Sequence, residues 1–420
     1  MLYCNYKNGS WIMAGKETGN MPVSSGIDHA EQQRLNRALV IDSLRRQGCC
    51  SRAELARLTN LKRATITNII GEFIDLGLVV ETEFLSSEGG RRSIGLRING
   101  RRYQVIGVMI TRKYYCIVRI GLSGEVYALK CHRIPAEIGV EDLVRSMEHN
   151  IHKMIAENPE TRIMAIGFAV PGPYLQKEGE VAFITNLEGW DEFPISAKLQ
   201  EAFDIPVLLS NDANAAAYAS YWYDAQNEKN SNLVYIVAGQ GIGCGLLSNG
   251  RLVQGAMGIA GEIGHTSIDF HGPKCACGNR GCLELYCSLL VLENRIKQRL
   301  LQGEASCLTA DFTTRDLAEA IRQGDPLALE EYERNCGYLV VGIVNLINQF
   351  NPSTIVIGDQ LVDLAPELLL RLVREQVRER LRPAIWEGLN IEVNRSEYNP
   401  IVMGAAALAA QTILEDPFSY

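Results

Sequence analysis

The sequence predicts an α/β protein with a small helical head bearing a two-stranded wing and a two-lobed α/β body behind it. Three observations lead there. Charge is divided unevenly, because the 420-residue chain carries −8 overall while residues 31–102 carry +5. Near Tyr103 the apolar pattern changes from helical spacing to successive strand-like runs, after which strands and helices alternate. A cysteine-dense loop between Gly255 and Glu284 then interrupts the second half. With 47% apolar and 21% charged residues, the chain has material for two or three domains. The acidic net charge excludes indiscriminate binding to polyanions. A basic segment on an acidic body instead points to a nucleic-acid-binding module attached to a domain with another task.

Residues 1–30 read as a flexible tail, since Gly, Ser, Asn and single aromatics are mixed without periodicity. No basic start with an apolar core marks a secretory leader, and no run is long enough to span a membrane. The twelve cysteines are therefore expected to be reduced, in a cytoplasmic protein. The head, residues 31–100, opens with an amphipathic helix over 32–46 that Gly48 breaks. Ser51-Arg52-Ala53-Glu54 is a capping box for a short second helix. A third helix buries Ile66, Ile69, Ile70, Phe73 and Ile74 and stops at Gly77. Its other face carries Lys62, Arg63, Thr65, Thr67 and Asn68, side chains suited to phosphates and base edges. Two alternating runs, 78–84 and 94–98, flank the basic tip 86–92 with Arg91 and Arg92. This is the pattern of a winged helix-turn-helix whose tip reaches the DNA backbone or minor groove. The plainer alternative is a helical hairpin with a solvated face.

The first lobe, 101–230, begins with a three-strand meander over 104–110, 115–120 and 125–130. A helix over 140–156, a strand over 162–170 and an Ala-rich helix opening at Asn211-Asp212 follow. The second lobe, 231–400, repeats the scheme, and a final Ala-rich helix over 401–415 is assigned to the first lobe. Such sheets suit a ribonuclease-H-like, actin- or hexokinase-like fold. Gly239-Gln240-Gly241-Ile242-Gly243 is no dinucleotide fingerprint, because a second strand follows it and not a helix.

In the cysteine-dense loop, His265 is followed after nine residues by Cys275, then by Cys277 and Cys282. Three thiolates and one imidazole suit a closed, structural zinc site. His271 is a rival for the imidazole. His265 is preferred because Glu262 and Glu284 bracket a metal-fixed loop that presents carboxylates.

The runs Gly-Glu-x-Gly-His (261–265) and Cys-x-Cys-Gly-x-x-Gly-Cys-x-Glu (275–284) resemble the signature of the ROK family of repressors and sugar kinases. The resemblance extends from about Gln32 to the end, and the head is similar to that of the family's repressors. It implies the two-lobed body and a sugar site at Asn186, Asn211, Asp212, Glu262, His265 and Glu284. In the kinases Asp212 matches the base that takes the proton from the sugar hydroxyl; a helix cap is its plainer role. The nucleotide side departs from the kinase pattern: Met109 to Lys113 stand where an Asp-x-Gly-Gly-Thr turn is expected, and Gln240 and Asp359 are further departures. The expectation is a sugar-responsive DNA-binding regulator, a repressor and no longer an enzyme. Operator DNA, a sugar or sugar-phosphate effector, zinc and a second copy of the chain (dimer or tetramer) are its partners. A protein that still phosphorylates a hexose with ATP, and a scaffold that binds no DNA, are the alternatives.

Overall fold

The computed structural model describes residues 4–7, 10–13, 28–85, 93–135, 138–172, 174–175, 180–181, 190, 193–223 and 231–419. Within the stretch expected to be a flexible tail, Cys4–Lys7 pairs antiparallel with Ser10–Met13. The head starts where the Asp28 carboxylate accepts the Glu31 amide and opens α1, His29–Gln47. Gly48, at φ 70°, ends it. The Ser51–Glu54 capping box opens α2, Arg52–Thr59, and Asn60 in a left-handed turn leads to α3, Arg63–Asp75. β1, Val79–Leu85, pairs antiparallel with β2, Ser93–Ile98. Arg91 and Arg92 lie outside the described residues.

Helical spacing makes one stripe of each head helix apolar, and these stripes converge. Val40, Ile41, Leu44, Leu55, Ile66, Ile70 and Phe73 are fully buried. This core is continuous with that of the first lobe. Tyr103, which opens the first strand of the body, donates its hydroxyl to the Leu76 carbonyl at 2.5 Å, and within the head Asn99 donates to the Gly77 carbonyl at 3.0 Å. The head is therefore seated on the body through packed side chains and the Tyr103 hydrogen bond.

The first lobe contains β3 (Tyr103–Ile110), β4 (Tyr114–Gly121), β5 (Val126–Arg133), α4 (Val140–Ala156), β6 (Arg162–Val170), α5 (Ile195–Ala202), β7 (Val207–Asn211) and α6 (Asp212–Tyr223). Its sheet order is β7-β6-β3-β4-β5, an antiparallel meander extended by two parallel strands. One expectation fails here. Cys116 and Cys131 are opposed on β4 and β5 with Cα atoms 4.1 Å apart, and they form a disulfide. Strand register, which spacing along the chain does not reveal, brings the two thiols together.

The second lobe contains β8 (Leu233–Ala238), β9 (Ile242–Ser248), β10 (Arg251–Leu252), α7 (Leu289–Leu301), α8 (Thr314–Gln323), α9 (Pro326–Phe350), β11 (Thr354–Gly358), α10 (Gln360–Leu364), α11 (Pro366–Arg380) and β12 (Asn390–Val393). Its sheet order, β12-β11-β8-β9-β10, repeats that of the first. The closing helix α12, Pro400–Glu415, returns to pack on β3 and β6 of the first lobe.

Helices α6 and α12 fill the space between the lobes, and their backbones touch. A methyl group on Gly404 would lie 1.7 Å from the Ala215 carbonyl oxygen, and one on Gly245 of β9 would lie 2.2 Å from that of Ala213. A methyl on Gly167 of β6 would lie 2.0 Å from the Ala405 carbonyl oxygen. Alanine on the helices and glycine on their neighbours are what permit this approach. Gly404→Ala is therefore expected to lower stability by about 1 to 3 kcal/mol through overpacking, measured as a fall in the thermal unfolding midpoint; an unchanged midpoint would contradict this packing.

Candidate functional site

A cavity of about 170 Å³ lies in the cleft between the lobes. Each wall comes from the end of a regular element. The turn between β3 and β4 supplies Thr111, Arg112 and Lys113, the junction of β7 and α6 supplies Asn211 and Asp212, and the β8–β9 turn supplies Gln240 and Gly241. Glu262, His265, Glu284 and Asp359 complete it. Five sugar-site candidates, Asn211, Asp212, Glu262, His265 and Glu284, thus line one cavity. The sixth, Asn186, lies outside the described residues.

The capping role suggested for Asp212 belongs to its neighbour. The buried Asn211 side chain accepts the Asn214 amide at 2.7 Å, while Asp212 accepts the adjacent Ala213 amide at 2.7 Å. Asp212 keeps an oxygen for the cavity, although burial raises its pKa to about 7, with Asp359 adding to the rise. Burial also raises Glu262 to about 7, with Asp212 and Glu284 contributing, and Asp359 to about 6. Glu284 accepts the Ile242 amide at 3.0 Å. Arg112 donates to the Gln240 side-chain oxygen across the cleft at 2.5 Å. Its pKa is lowered by burial and pulled back by Glu284 and Asp212. Carboxylates beside hydrogen-bond donors suit a polyhydroxylated ligand, whose hydroxyls both donate and accept.

His265 also belongs to a second cluster. Its ligand atom and the sulfurs of Cys275, Cys277 and Cys282 lie within 4.8 Å of one another. His265 Nδ1 is 3.7 Å from Cys275 Sγ, and Cys277 Sγ is 3.7 Å from Cys282 Sγ. Gly278, at φ 93°, and Gly281, at φ 61°, make the turns that fold the thiols back on one another. His271, the rival, is exposed and lies against the Phe270 ring outside the cluster. A three-sulfur, one-nitrogen donor set of this size fits a tetrahedral metal.

On the head, Lys62, Arg63, Thr67 and Asn68 are exposed along α3 and Thr65 is half-buried. The Thr67 hydroxyl donates to the Arg63 carbonyl at 2.9 Å, so its proton is engaged within the helix. Sequence reasoning missed the joint between head and body. Arg45, on α1, donates to the Trp222 carbonyl at 3.1 Å and lies 3.6 Å from the Trp222 ring centroid. Arg46 donates to the Tyr221 hydroxyl at 2.9 Å, and Asp42 pairs with both arginines. The available signal was the aromatic run Tyr218, Tyr221, Trp222 on one end of α6.

A raised carboxyl pKa has a definite sign in stability. The folded state holds the Asp212 proton to about pH 7, so stability is lost as pH rises from about 4 to about 7 and stays lost above. Asp212→Asn should therefore stabilise the ligand-free protein more at pH 8 than at pH 5, by about 2 to 3 kcal/mol. Denaturant unfolding at the two pH values checks this, and equal effects would show that Asp212 is not desolvated.

The sequence profile of the ROK family matches residues 105–412. A xylose repressor of Caldicellulosiruptor bescii is 31% identical over 400 residues, covering 93% of this chain and 99% of that protein. The crystal structure of a ROK family transcriptional regulator, described as a homologue of the E. coli MLC protein, superposes with a TM-score of 0.78 at 29% identity and covers 93% of this chain and 98% of its own. A ROK family glucokinase from Streptomyces griseus, solved with glucose and AMPPNP, gives 0.63 at 27% identity, covering 73% of this chain and 99% of its own. With its two lobes, its cysteine loop and this span of similarity, the chain belongs to the ROK family.

Proposed function

We propose that the chain is a sugar-responsive transcriptional regulator, a repressor whose winged head binds operator DNA and whose cleft holds the sugar. The observation that carries this reading is the course of α6. It begins at Asp212 in the cavity and ends at Tyr221 and Trp222 against α1 of the head. Twelve helical residues span about 18 Å. Asp212 stands at the N-terminal end of the helix, and the Arg45 guanidinium meets the Trp222 carbonyl at its C-terminal end, where a cation complements the dipole. A sugar drawing the lobes together on Asp212 moves a rigid rod whose far end is gripped by the head. The repressor named above and the regulator structure that spans the head as well as the body support the same reading.

In this reading Arg63 and Asn68 meet base edges, Lys62, Thr65 and Thr67 the backbone, and Arg91 and Arg92 of the wing the backbone or minor groove. Residues 31–100 form the DNA-binding domain and 101–230 with 231–400 the two lobes. Asn186, Asn211, Asp212, Glu262, His265 and Glu284 hold the sugar. His265, Cys275, Cys277 and Cys282 hold one structural zinc, which fixes the loop carrying Glu262 and Glu284. Two heads read two half-sites, so the protein acts as a homodimer or a higher multiple on a near-palindromic operator. Among the described residues no helix is long and apolar enough to cross a membrane. A cytoplasmic location follows from binding DNA.

Arg63→Ala or Asn68→Ala should reduce discrimination between operator and random DNA by about 1 to 3 kcal/mol in binding titrations. Unchanged footprints in both variants would remove the recognition-helix assignment. Sugar and operator should alter each other's affinity by the same factor, worth about 1 to 3 kcal/mol. Arg45→Ala should shrink that factor while each ligand still binds alone. Equal sugar affinity with and without saturating operator in the unaltered protein would end the sensing hypothesis. Elemental analysis should find about one zinc per chain, lost in Cys282→Ser; well-folded metal-free protein would refute the structural zinc.

A further inference from the structure

The glycine turn at the cleft wall, Gly239 to Gly241, has the form of an anion cradle, in which successive small residues let backbone amides approach a phosphate. In this chain the cradle is filled by the protein's own carboxylates. Asp359 lies so close above Gly239 that a methyl there would meet its Oδ2 at 2.0 Å. Glu284 lies over Gly241, where a methyl would meet its Oε2 at 2.7 Å, and it accepts the Ile242 amide at 3.0 Å. Asp212 and Glu262 face the same small cavity. Arg112 lines it too, but its charge is already set against Glu284 and Asp212, and it is hydrogen-bonded to Gln240. Lys113 stands exposed on the same turn.

We infer that the effector is an unphosphorylated monosaccharide, and that Asp359 and Glu284 are the specificity-determining residues that refuse its phosphate ester. The inference rests on the sugar-sensing reading above. A phosphate adds a charge of about −1.5 to −2 to a space where Asp359 and Glu284 already lie against the glycine turn, and the Ile242 amide that would hold it is taken by Glu284.

Isothermal titration of the full-length protein with xylose, glucose and N-acetylglucosamine, each beside its phosphate ester, and with AMPPNP, tests this. One neutral sugar is expected to bind, its phosphate ester at least about a hundredfold more weakly, and AMPPNP not at all. Asp359→Asn tests the assignment by gain of binding, since asparagine tolerates the positive φ of 77° at this position. It should narrow the ratio of the two affinities by about tenfold. Glu284→Gln should narrow it in the same direction. A phosphate ester that binds as tightly as its parent sugar, or tighter, overturns the inference and leaves sugar sensing standing. No binding of either form overturns both. An unchanged ratio in both variants overturns the assignment to Asp359 and Glu284.

Discussion

Direct backbone contact between α6, α12 and the two sheets is the constraint on which the rest of the molecule depends. Where Gly404 meets Ala215 and Gly245 meets Ala213, no side chain separates the elements. Cores packed at this density do not deform smoothly. On the proposed reading a displacement of α6 would be carried along its whole length, from the cavity at Asp212 to the head at Trp222. The same contact explains the composition of both helices, since only alanine and glycine fit at that separation.

The cavity at one end of this rod carries an energetic cost. Asp212, Glu262 and Asp359 are all held above the ordinary carboxylate range, chiefly because burial disfavours their charge. A core chosen for stability alone would not gather them. Their cost is offset by the apolar clusters behind each sheet, where residues such as Phe168, Ile236 and Ile343 are almost fully enclosed. Strained electrostatics in a cleft with a well-packed frame around it is the usual mark of a binding site. The cysteine loop serves the same end, since Cys282 is two residues from Glu284, and His265 belongs to both the sulfur cluster and the cavity wall.

The head is bonded to the body and does not hang from a linker. Its core runs into that of the first lobe, and Tyr103, Arg45 and Arg46 all make contacts across the boundary. A flexible tether would let sugar occupancy and head orientation vary independently. On the proposed reading a packed joint would make them one equilibrium, which is what reciprocal coupling requires.

Much of this was legible in the sequence because much of it is local. The Ser51–Glu54 capping box, the 3.6-residue stripes of α1 and α3, the strand-glycine-strand turn at Gly239 and the spacing of Cys275, Cys277 and Cys282 each lie within a few residues. Their chemistry does not depend on what the distant chain does. The helix over 140–156 appears at those bounds, and the three sulfurs gather with His265, the imidazole preferred for the carboxylates that bracket the loop. Tertiary structure alone decided the pairings between distant residues. These are Arg45 with Trp222, 177 residues apart, Arg112 with Gln240, 128 apart, Asp359 over Gly239, and Cys116 beside Cys131. Periodicity shows which face of an element is buried but not what it is buried against. That depends on strand register and on which helix crosses which, and both are settled by packing the whole chain at once.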